Sequence, residues 1–239
     1  HGLKKLCLEV FGGCGALTAA LETSGLGVAT PLEAYPKKNV YVAEHDLLDP
    51  KVVRKLEAEI IAGVYYYIHF GLPCSSFSLL QNLNGGTRTA LNPEGDGSLE
   101  REVIGNRLAK TVARLCKLLH NSGCFFSIEN PRTSRAWQFG PIKRLDTCAV
   151  DVIFDQCEYN LTPPHLSRQS NTKIKKPTQL KTNLHSLRQL SRACTKSHEH
   201  FACYGSVKTA QGWVSVARLA GNYPPELCTE WARLVASSV

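Results

Sequence analysis

The sequence of 239 residues contains no methionine, no internal repeat and no apolar run of the ~18 residues that a membrane-spanning helix needs. We therefore expect no membrane partner. The basic start and the apolar stretch behind it resemble a signal peptide, but Glu9 interrupts the stretch and no cleavage pattern follows it. The missing methionine also leads us to expect a domain of a longer protein.

The ten cysteines have no dense spacing of the kind found in disulfide-stapled domains. They are expected to be mainly reduced thiols, in a nuclear or cytoplasmic protein. Lysine and arginine together number 28, against 20 acidic residues, for a formal net charge of +8. This balance favours a nucleic acid as partner, although a protein that is merely basic fits it equally well. The oligomeric state is left open.

Segments with strand character alternate with segments of helical periodicity over the first 155 residues. The predicted strands are 6–11, 27–34, 40–43, 64–70, 124–129 and 150–154, and the predicted helices are 16–24, 50–62 and 99–120. Such alternation is typical of an α/β fold with a doubly wound, mostly parallel, Rossmann-like sheet. Ligands of these sheets bind at the carboxyl ends of the strands, which is where the motifs described next are found.

The first motif is a glycine loop, Phe11-Gly12-Gly13-Cys14-Gly15, between a strand and a helix. Glu33 ends the second predicted strand, about 20 residues further on, where an acid commonly holds ribose hydroxyls. Asp46 follows the third predicted strand and could accept a hydrogen bond from an adenine amino group. Each feature alone is better explained as a turn or a solvated acid, but together they describe an adenosyl pocket.

Two further motifs carry groups that can react. Pro73-Cys74 follows an aromatic strand and begins a polar loop, 71–98, which is long enough to predict a lid. A cysteine at such a position can serve as a thiolate nucleophile, although most free cysteines are buried and inert. Glu129-Asn130 ends another strand, and a carboxyl group in a closed pocket can keep its proton and donate a hydrogen bond.

In this order the motifs resemble those of the DNA (cytosine-5) methyltransferases, which use S-adenosylmethionine. The matching segments are F-x-G-x-G (Phe11, Gly13, Gly15), P-C-x-x-F-S from Pro73, E-N at Glu129, and a closing G-N-x-x-P-P that is one residue short at Gly221-Asn222. The family's Q-x-R-x-R segment has its nearest candidate at Arg168.

The resemblance implies the fold of a class I S-adenosylmethionine-dependent methyltransferase and a specific set of site residues. The implied catalytic residues are Cys74, Glu129 and Arg168; the implied cofactor-binding residues are Phe11, Gly13, Gly15, Glu33, Asp46, Pro73 and Asn222; the nucleic-acid-binding candidates are Lys173, Lys175, Lys176 and Ser76. It divides the chain into a catalytic domain (1–155), a small basic target-recognition region (156–216) and a closing segment (217–239). The implied reaction methylates carbon 5 of cytosine in DNA through a covalent Cys74 adduct.

A second constellation lies in the basic region. Cys194, His198, His200 and Cys203 fall within ten residues, and Cys157 can join them from the preceding segment. Sulfur and imidazole at this density suit a structural zinc ion, for which Cys157, Cys194, His198 and His200 are the predicted ligands. A chance scatter in a cysteine-rich chain accounts for the pattern about as well.

Several functions remain open at this level. RNA could be methylated by the same chemistry. A catalytically silent methyltransferase fold could bind nucleic acid, a reading that the poor Arg168 match and Glu9 in place of the family's usual Asp both favour. Thiol chemistry on a small nucleotide would need Cys74 but no adenosyl pocket. A faint echo of the amino-methyltransferase N-P-P motif at Asn130-Pro131 ranks lower, since those enzymes need no cysteine.

Overall fold

The computed structural model describes residues 5–36, 40–163, 171–203, 205–209 and 212–238. Its helices and strands are, in chain order, β1 (Leu6–Val10), α1 (Ala16–Thr23), β2 (Gly27–Val28), α2 (Pro50–Ile61), β3 (Tyr65–Phe70), α3 (Glu100–Asn121), β4 (Phe125–Pro131), α4 (Gly140–Lys143), β5 (Val150–Asp155), β6 (Thr172–Lys175), β7 (Pro177–Thr182), β8 (Glu199–Ala202), β9 (Ser206–Thr209), β10 (Gly212–Ser215), α5 (Val216–Leu219) and α6 (Pro225–Ala236). None of the helices within these ranges is both long and apolar enough to cross a membrane.

Six strands form one twisted central sheet in the order β2-β1-β3-β4-β7-β5. The first four strands are parallel, and β7 is antiparallel to both of its neighbours. The predicted α/β class with a mostly parallel sheet is therefore confirmed.

Helices cover both faces of this sheet because successive side chains of its strands point to opposite sides. Leu8 and Ile68 pack with α2 and α3, whereas Cys7 and Tyr67, one residue earlier, pack with α1 and α6. Helix α3 has helical apolar spacing, and its buried positions include Val112, Leu115, Cys116 and Leu119. Both layers of the core are thus built from sequence periodicity.

Two of the predicted strands are wrong in extent. Strand β2 is only Gly27–Val28, followed by an isolated bridge between Leu32 and Val10. Pro31 has no N–H to donate to β1, so the hydrogen bonds skip from Ala29 to Leu32. Residues 40–43 form no regular strand, and the chain there enters a 3-10 turn, Ala43–His45.

The basic stretch 156–216 divides between two locations. Strand β7 lies inside the central sheet, where Thr178, Leu180 and Thr182 are buried. Strands β6 and β8 pair in parallel outside it, and β9 and β10 form an antiparallel pair. Among its described residues, the small region outside the sheet has a core of four buried apolar side chains, Leu161, Ile174, Val216 and Ala220.

Candidate active site

A cavity of about 560 Å³ opens at the carboxyl ends of β1, β3 and β4. Its wall includes eight of the residues predicted from the sequence: Phe11, Gly13, Pro73, Cys74, Glu129, Lys175, Lys176 and Asn222. The structure therefore brings the glycine loop, the cysteine, the carboxyl group and two lysines to one place. Their individual roles stay predictions.

The glycine loop turns through left-handed backbone at Phe11 (φ 58°), Gly13 (φ 52°) and Gly15 (φ 70°). Gly12 packs so closely that a Cβ there would lie 3.1 Å from the Cβ atom of Pro31. A Cβ on Gly13 would meet nothing within 4 Å. The loop is therefore tight on its inner side and open at Gly13, and Gly15 caps α1 without lining the cavity.

The two acids predicted for the cofactor do not lie in the cavity wall, and Glu33 contacts the glycine loop. Glu33 accepts hydrogen bonds from the backbone N–H of Gly13 (3.1 Å) and of Tyr35 (3.0 Å). Asp46 accepts from the Leu48 N–H and from the Tyr41 hydroxyl, both at 2.8 Å. Glu33 thus supports the turn at Gly13.

Cys74 lies at the start of a 3-10 turn, Ser75–Phe77, and is accessible on the cavity side. Surrounding protein atoms raise the pKa of its thiol; the charge of Glu129 raises this pKa further, whereas Lys176 lowers it. A thiolate here needs a cation, and Lys176 is the nearby one that the structure supplies.

Asn130 explains why Glu129 and Cys74 meet at this cavity. The Asn130 side chain is fully buried, and its amide donates to the carbonyl oxygen of Leu72 at 2.7 Å. Strands β3 and β4 pair in register up to Phe70 and Ile128, so the residues that follow these two, Gly71 and Glu129, are also neighbours. The amide therefore fixes the Pro-Cys loop to the Glu-Asn strand.

Glu129 is only 7% exposed. Its Oε2 accepts a hydrogen bond from the Tyr223 hydroxyl at 3.4 Å, while Oε1 meets no donor within hydrogen-bonding distance among the described residues and lies 3.9 Å from the Lys176 ammonium. Burial raises the pKa of Glu129, and Lys176 and Tyr223 partly oppose the rise. A buried oxygen without a hydrogen-bond partner suits a ligand group in the cavity.

A row of polar side chains that was not predicted from the sequence crosses the buried sheet below the cavity. Glu9, His69 and Ser127 are neighbours in the register of β1, β3 and β4. Each is at most 2% exposed. Polar residues at buried positions of otherwise apolar strands would have indicated this row, because each such residue needs a buried hydrogen-bond partner.

The Tyr223 hydroxyl donates its one proton to Glu129, and this bond determines the direction of the hydrogen bonds that lead to it from Trp231. The Trp231 indole can only donate, to Tyr67 (2.8 Å), and the Tyr67 hydroxyl then donates to Ser127. Ser127 in turn donates to Nδ1 of His69 (2.8 Å), which burial keeps neutral by lowering its pKa to about 3.

The remaining ring N–H of His69 completes the chain of hydrogen bonds. Its Nε2 lies 3.0 Å from the hydroxyl oxygen of Tyr223, so it donates there and leaves the Tyr223 hydroxyl free to donate to Glu129. The core of the protein thus orients the carboxyl group in the cavity.

The predicted lid loop is anchored by a residue that the sequence did not single out. Arg88 is 3% exposed and donates to the backbone oxygens of Ser76 (3.0 Å) and Glu102 (2.9 Å), while its guanidinium lies 3.9 Å from the ring centroid of Phe77. Its Nη2 also lies 3.3 Å from the hydroxyl oxygen of Ser76. Ser76 is therefore buried at this anchor and does not line the cavity.

The remaining predicted residues belong to the small β6–β8 ladder, to a Cys/His cluster or to the part of the chain that is not described. Lys173 pairs with His200 in the β6–β8 ladder and is not part of the cavity wall, and Arg168 falls outside the described residues. Cys157, Cys194, His198 and His200 come together, with their ligand atoms within 4.8 Å of one another. Cys203 lies in the cavity wall.

No family model matches the sequence, and no curated protein matches it. Solved structures that resemble the chain include the Dnmt2 methyltransferase of S. pombe (14% identity, TM-score 0.42, 80% of this chain and 56% of that chain) and a mutant of Spodoptera frugiperda DNMT2 (15%, 0.40, 83% and 54%). A third is described as a DNA modification methyltransferase encoded within a prophage of E. coli (16%, 0.43, 74% and 46%).

The chain spans about half the length of these structures. All three are methyltransferases by name, the class that the sequence motifs resemble. At such identities and overlaps, the function has to be argued from the site itself.

Proposed function

We propose that this chain transfers a methyl group from S-adenosylmethionine to carbon 5 of cytosine, with Cys74 as nucleophile and DNA as the substrate. The observation that carries this proposal is that a cysteine and a buried carboxyl group share one cavity, at strand ends coupled by the bond from Asn130 to Leu72. Oε1 of Glu129 is buried and accepts no hydrogen bond from the described residues, which supports a role for it towards a ligand in the cavity.

Carbon 5 of cytosine is a poor nucleophile, and addition of a thiolate to carbon 6 turns the ring into an enamine that can accept a methyl group. Cys74 supplies the thiolate, and the positive charge of Lys176 favours its formation. After methylation, loss of the carbon-5 proton to a base restores the double bond and releases Cys74.

Glu129 compensates the charge that develops on the ring. Its raised pKa favours a protonated carboxyl group, which can donate to ring N3 as the thiolate adds to carbon 6. The Tyr223 hydroxyl is hydrogen-bonded to Oε2 of Glu129 and leaves Oε1 for the cytosine ring. Tyr223 is thus a positioning residue.

The residues around the cavity fit a nucleoside cofactor, whose part is to supply an activated methyl group. The volume of about 560 Å³ falls within the range of roughly 300–1,000 Å³ typical of small-molecule sites. The absence of a side chain at Gly13 leaves open space beside Phe11, and Glu33 holds the backbone there.

The substrate base has to leave its helix, because carbons 5 and 6 are not accessible to a cysteine inside a stacked duplex. Lys175 lies on the cavity wall, where it can contact a phosphate beside the base. The Lys176 ammonium donates to the carbonyl oxygen of Ala220 (3.0 Å) and lies beside Glu129, so its charge acts on the reacting groups. Leu79 and Leu80 line the cavity from the loop and present apolar surface that can cover it.

Methyl transfer from tritiated S-adenosylmethionine to single- and double-stranded DNA and RNA tests this function, with digestion to nucleosides to identify the product. We expect label in 5-methyldeoxycytidine with the unsubstituted chain and with Cys148→Ala, a half-buried cysteine outside the cavity, but none with Cys74→Ala. Label in RNA alone would show that the substrate is RNA and not DNA. Cofactor binding without transfer to any nucleic acid would contradict the proposal and favour a silent binding module.

A further inference from the structure

Three separate pieces of chain meet beside the small ladder of β6 and β8. Cys157 lies in a 3-10 helix, Gln156–Tyr159, that follows β5; Cys194 lies in the loop before β8; His198 immediately precedes β8 and His200 is its second residue. These residues bring two sulfur atoms and two imidazoles together.

The distances between their ligand atoms suit a tetrahedral ion. The Cys194 sulfur lies 3.7 Å from Nε2 of His198 and 3.3 Å from Nε2 of His200, and the two Nε2 atoms are 3.1 Å apart. Zinc bonds of about 2.3 Å to sulfur and 2.0–2.1 Å to nitrogen give tetrahedral edges of roughly 3.6 Å for S···N and 3.3 Å for N···N. The imidazole planes lie at 89° to each other, so both nitrogens can point to one centre.

The surroundings hold the cluster in this shape. The N–H of Cys194 donates to Asp155 (2.8 Å), and that of Thr195 donates to Glu158 (2.8 Å), which docks the loop on the segment that carries Cys157. Lys196 adopts left-handed backbone (φ 60°) and directs its N–H to the Cys194 sulfur at 3.3 Å. Such outer hydrogen bonds are typical of ligands in metal sites.

The location also needs a cross-link. The β6–β8 ladder pairs four residues with four, and the core beneath it contains four buried apolar side chains in the part of the chain that the structure describes. A two-stranded ladder with so small a core is only marginally stable by itself. Strand β6 continues directly into Lys176, and Cys203 follows β8, so this ladder carries one wall of the cavity.

We infer that Cys157, Cys194, His198 and His200 bind one zinc ion, a structural ion that holds the β6–β8 ladder and with it the wall of the cavity that carries Lys175, Lys176 and Cys203. Four protein ligands close the coordination shell, so the ion takes no part in chemistry. Two thiolates and two neutral imidazoles together match the preference of zinc over magnesium or calcium.

The test is the metal content of the whole 239-residue chain, purified from zinc-supplemented cells and measured by mass spectrometry. We expect one zinc per chain in the unsubstituted protein and in the controls Cys148→Ser and Cys203→Ser. Cys194→Ser and His198→Ala should lose it. Less than stoichiometric traces in the unsubstituted protein, or a zinc ion lost on Cys203→Ser but retained on Cys194→Ser, would overturn the assignment.

Cobalt replacement keeps the test decisive if a ligand variant fails to fold. The unsubstituted chain, stripped of metal and given Co²⁺, should show the intense visible bands of tetrahedral cobalt and a thiolate-to-cobalt charge-transfer band in the near ultraviolet. Zinc should abolish both. Absence of the charge-transfer band, or the weak bands of six-coordinate cobalt, would contradict a site with two cysteines.

Discussion

The two walls of the cavity are held in different ways. The wall with Cys74 and Glu129 extends from β3 and β4 in the middle of a six-stranded sheet that is covered by helices on both faces. The wall with Lys175, Lys176 and Cys203 extends from a four-residue ladder over a small core, and Lys176 joins this ladder to β7 of the central sheet. The reacting groups therefore lie on the large, densely packed part of the fold, and Lys175 and Cys203 lie on the part that we propose depends on an ion.

The wall with Cys74 and Glu129 shows how a buried side chain can be oriented without loss of stability. Buried polar groups are costly unless each finds a partner, and the chain from Trp231 through His69 to Tyr223 satisfies its members in turn. The same chain of bonds ends on Glu129. Core packing and orientation of the carboxyl group thus depend on the same side chains.

The largest expected effect follows from a substitution of Glu129 in the wall that extends from the central sheet. Glu129→Gln keeps the shape and an N–H donor but has no acid proton to transfer to ring N3, so kcat should fall by about 10²–10⁴-fold, the usual contribution of a positioned proton donor. Steady-state kinetics on the best nucleic-acid substrate measure this fall. Glu22→Gln, an exposed acid of α1, is the matched control; an equal fall in both variants would show that the site has been placed wrongly.

The next effect is acid sensitivity of the core. In the folded protein the pKa of His69 is lowered to about 3 by burial, whereas an unfolded histidine has a pKa near 6.5. Between about pH 6.5 and 3 only the unfolded state binds this proton, so acid should remove up to about 1.4 kcal/mol of stability per pH unit.

Burial raises the pKa of Glu9 and Glu129, so these two acids act in the opposite direction on acidification. The contribution of His69 is therefore the difference between the unsubstituted chain and His69→Gln, which cannot titrate. Urea unfolding at a series of pH values measures it. Identical slopes for the two proteins would contradict a neutral, buried His69.

A smaller effect is expected where the core meets the cavity. Tyr223→Phe removes one hydrogen bond to Glu129, so kcat should fall by about tenfold, and the pKa of Glu129 should rise, because the hydroxyl lowers it. Since Glu129 acts in its protonated form, the basic limb of the pH–rate profile should move to higher pH. A fall in kcat without this movement would indicate a merely structural role.

The smallest effect belongs to the cationic wall. Lys175→Ala should weaken binding uniformly across DNA sequences and reduce the slope of log affinity against log salt by about 1, as expected for one phosphate contact. Fluorescence anisotropy at several salt concentrations measures the slope, with Lys55→Ala, an exposed lysine of α2, as control. Equal slopes for both variants would remove Lys175 from the nucleic-acid contact.

The sequence predicted the sheet where its strands are buried on both faces, since β1 and β3 are nearly continuous runs of apolar and aromatic residues and β4 begins with two phenylalanines. It did not predict β7, because Lys176 and Lys181 made that stretch look like a solvated basic surface. In the structure Lys181 is 3% exposed and forms ion pairs with Asp146 and Asp151, partners far away in sequence.

The site shows the same limit. Cys74 and Glu129 could be predicted because each ends a strand, and parallel strands end at one edge of the sheet. Tyr223 and His69 could not, since they meet only when α6 packs on the face of β3. Arg88 was hidden for a similar reason: its hydrogen-bond partners come from the loop itself and from α3.

Covalent trapping tests the central claim most directly. Oligonucleotides of DNA and RNA that carry 5-fluorocytosine are incubated with the chain and S-adenosylmethionine and then analysed on a denaturing gel. Because fluorine cannot leave as a proton, methylation should arrest the reaction with the Cys74 sulfur still bonded to carbon 6. The account predicts an adduct with DNA that needs both the cofactor and Cys74 and persists in Cys148→Ala. No adduct on any oligonucleotide, with the cofactor shown to bind, would contradict it.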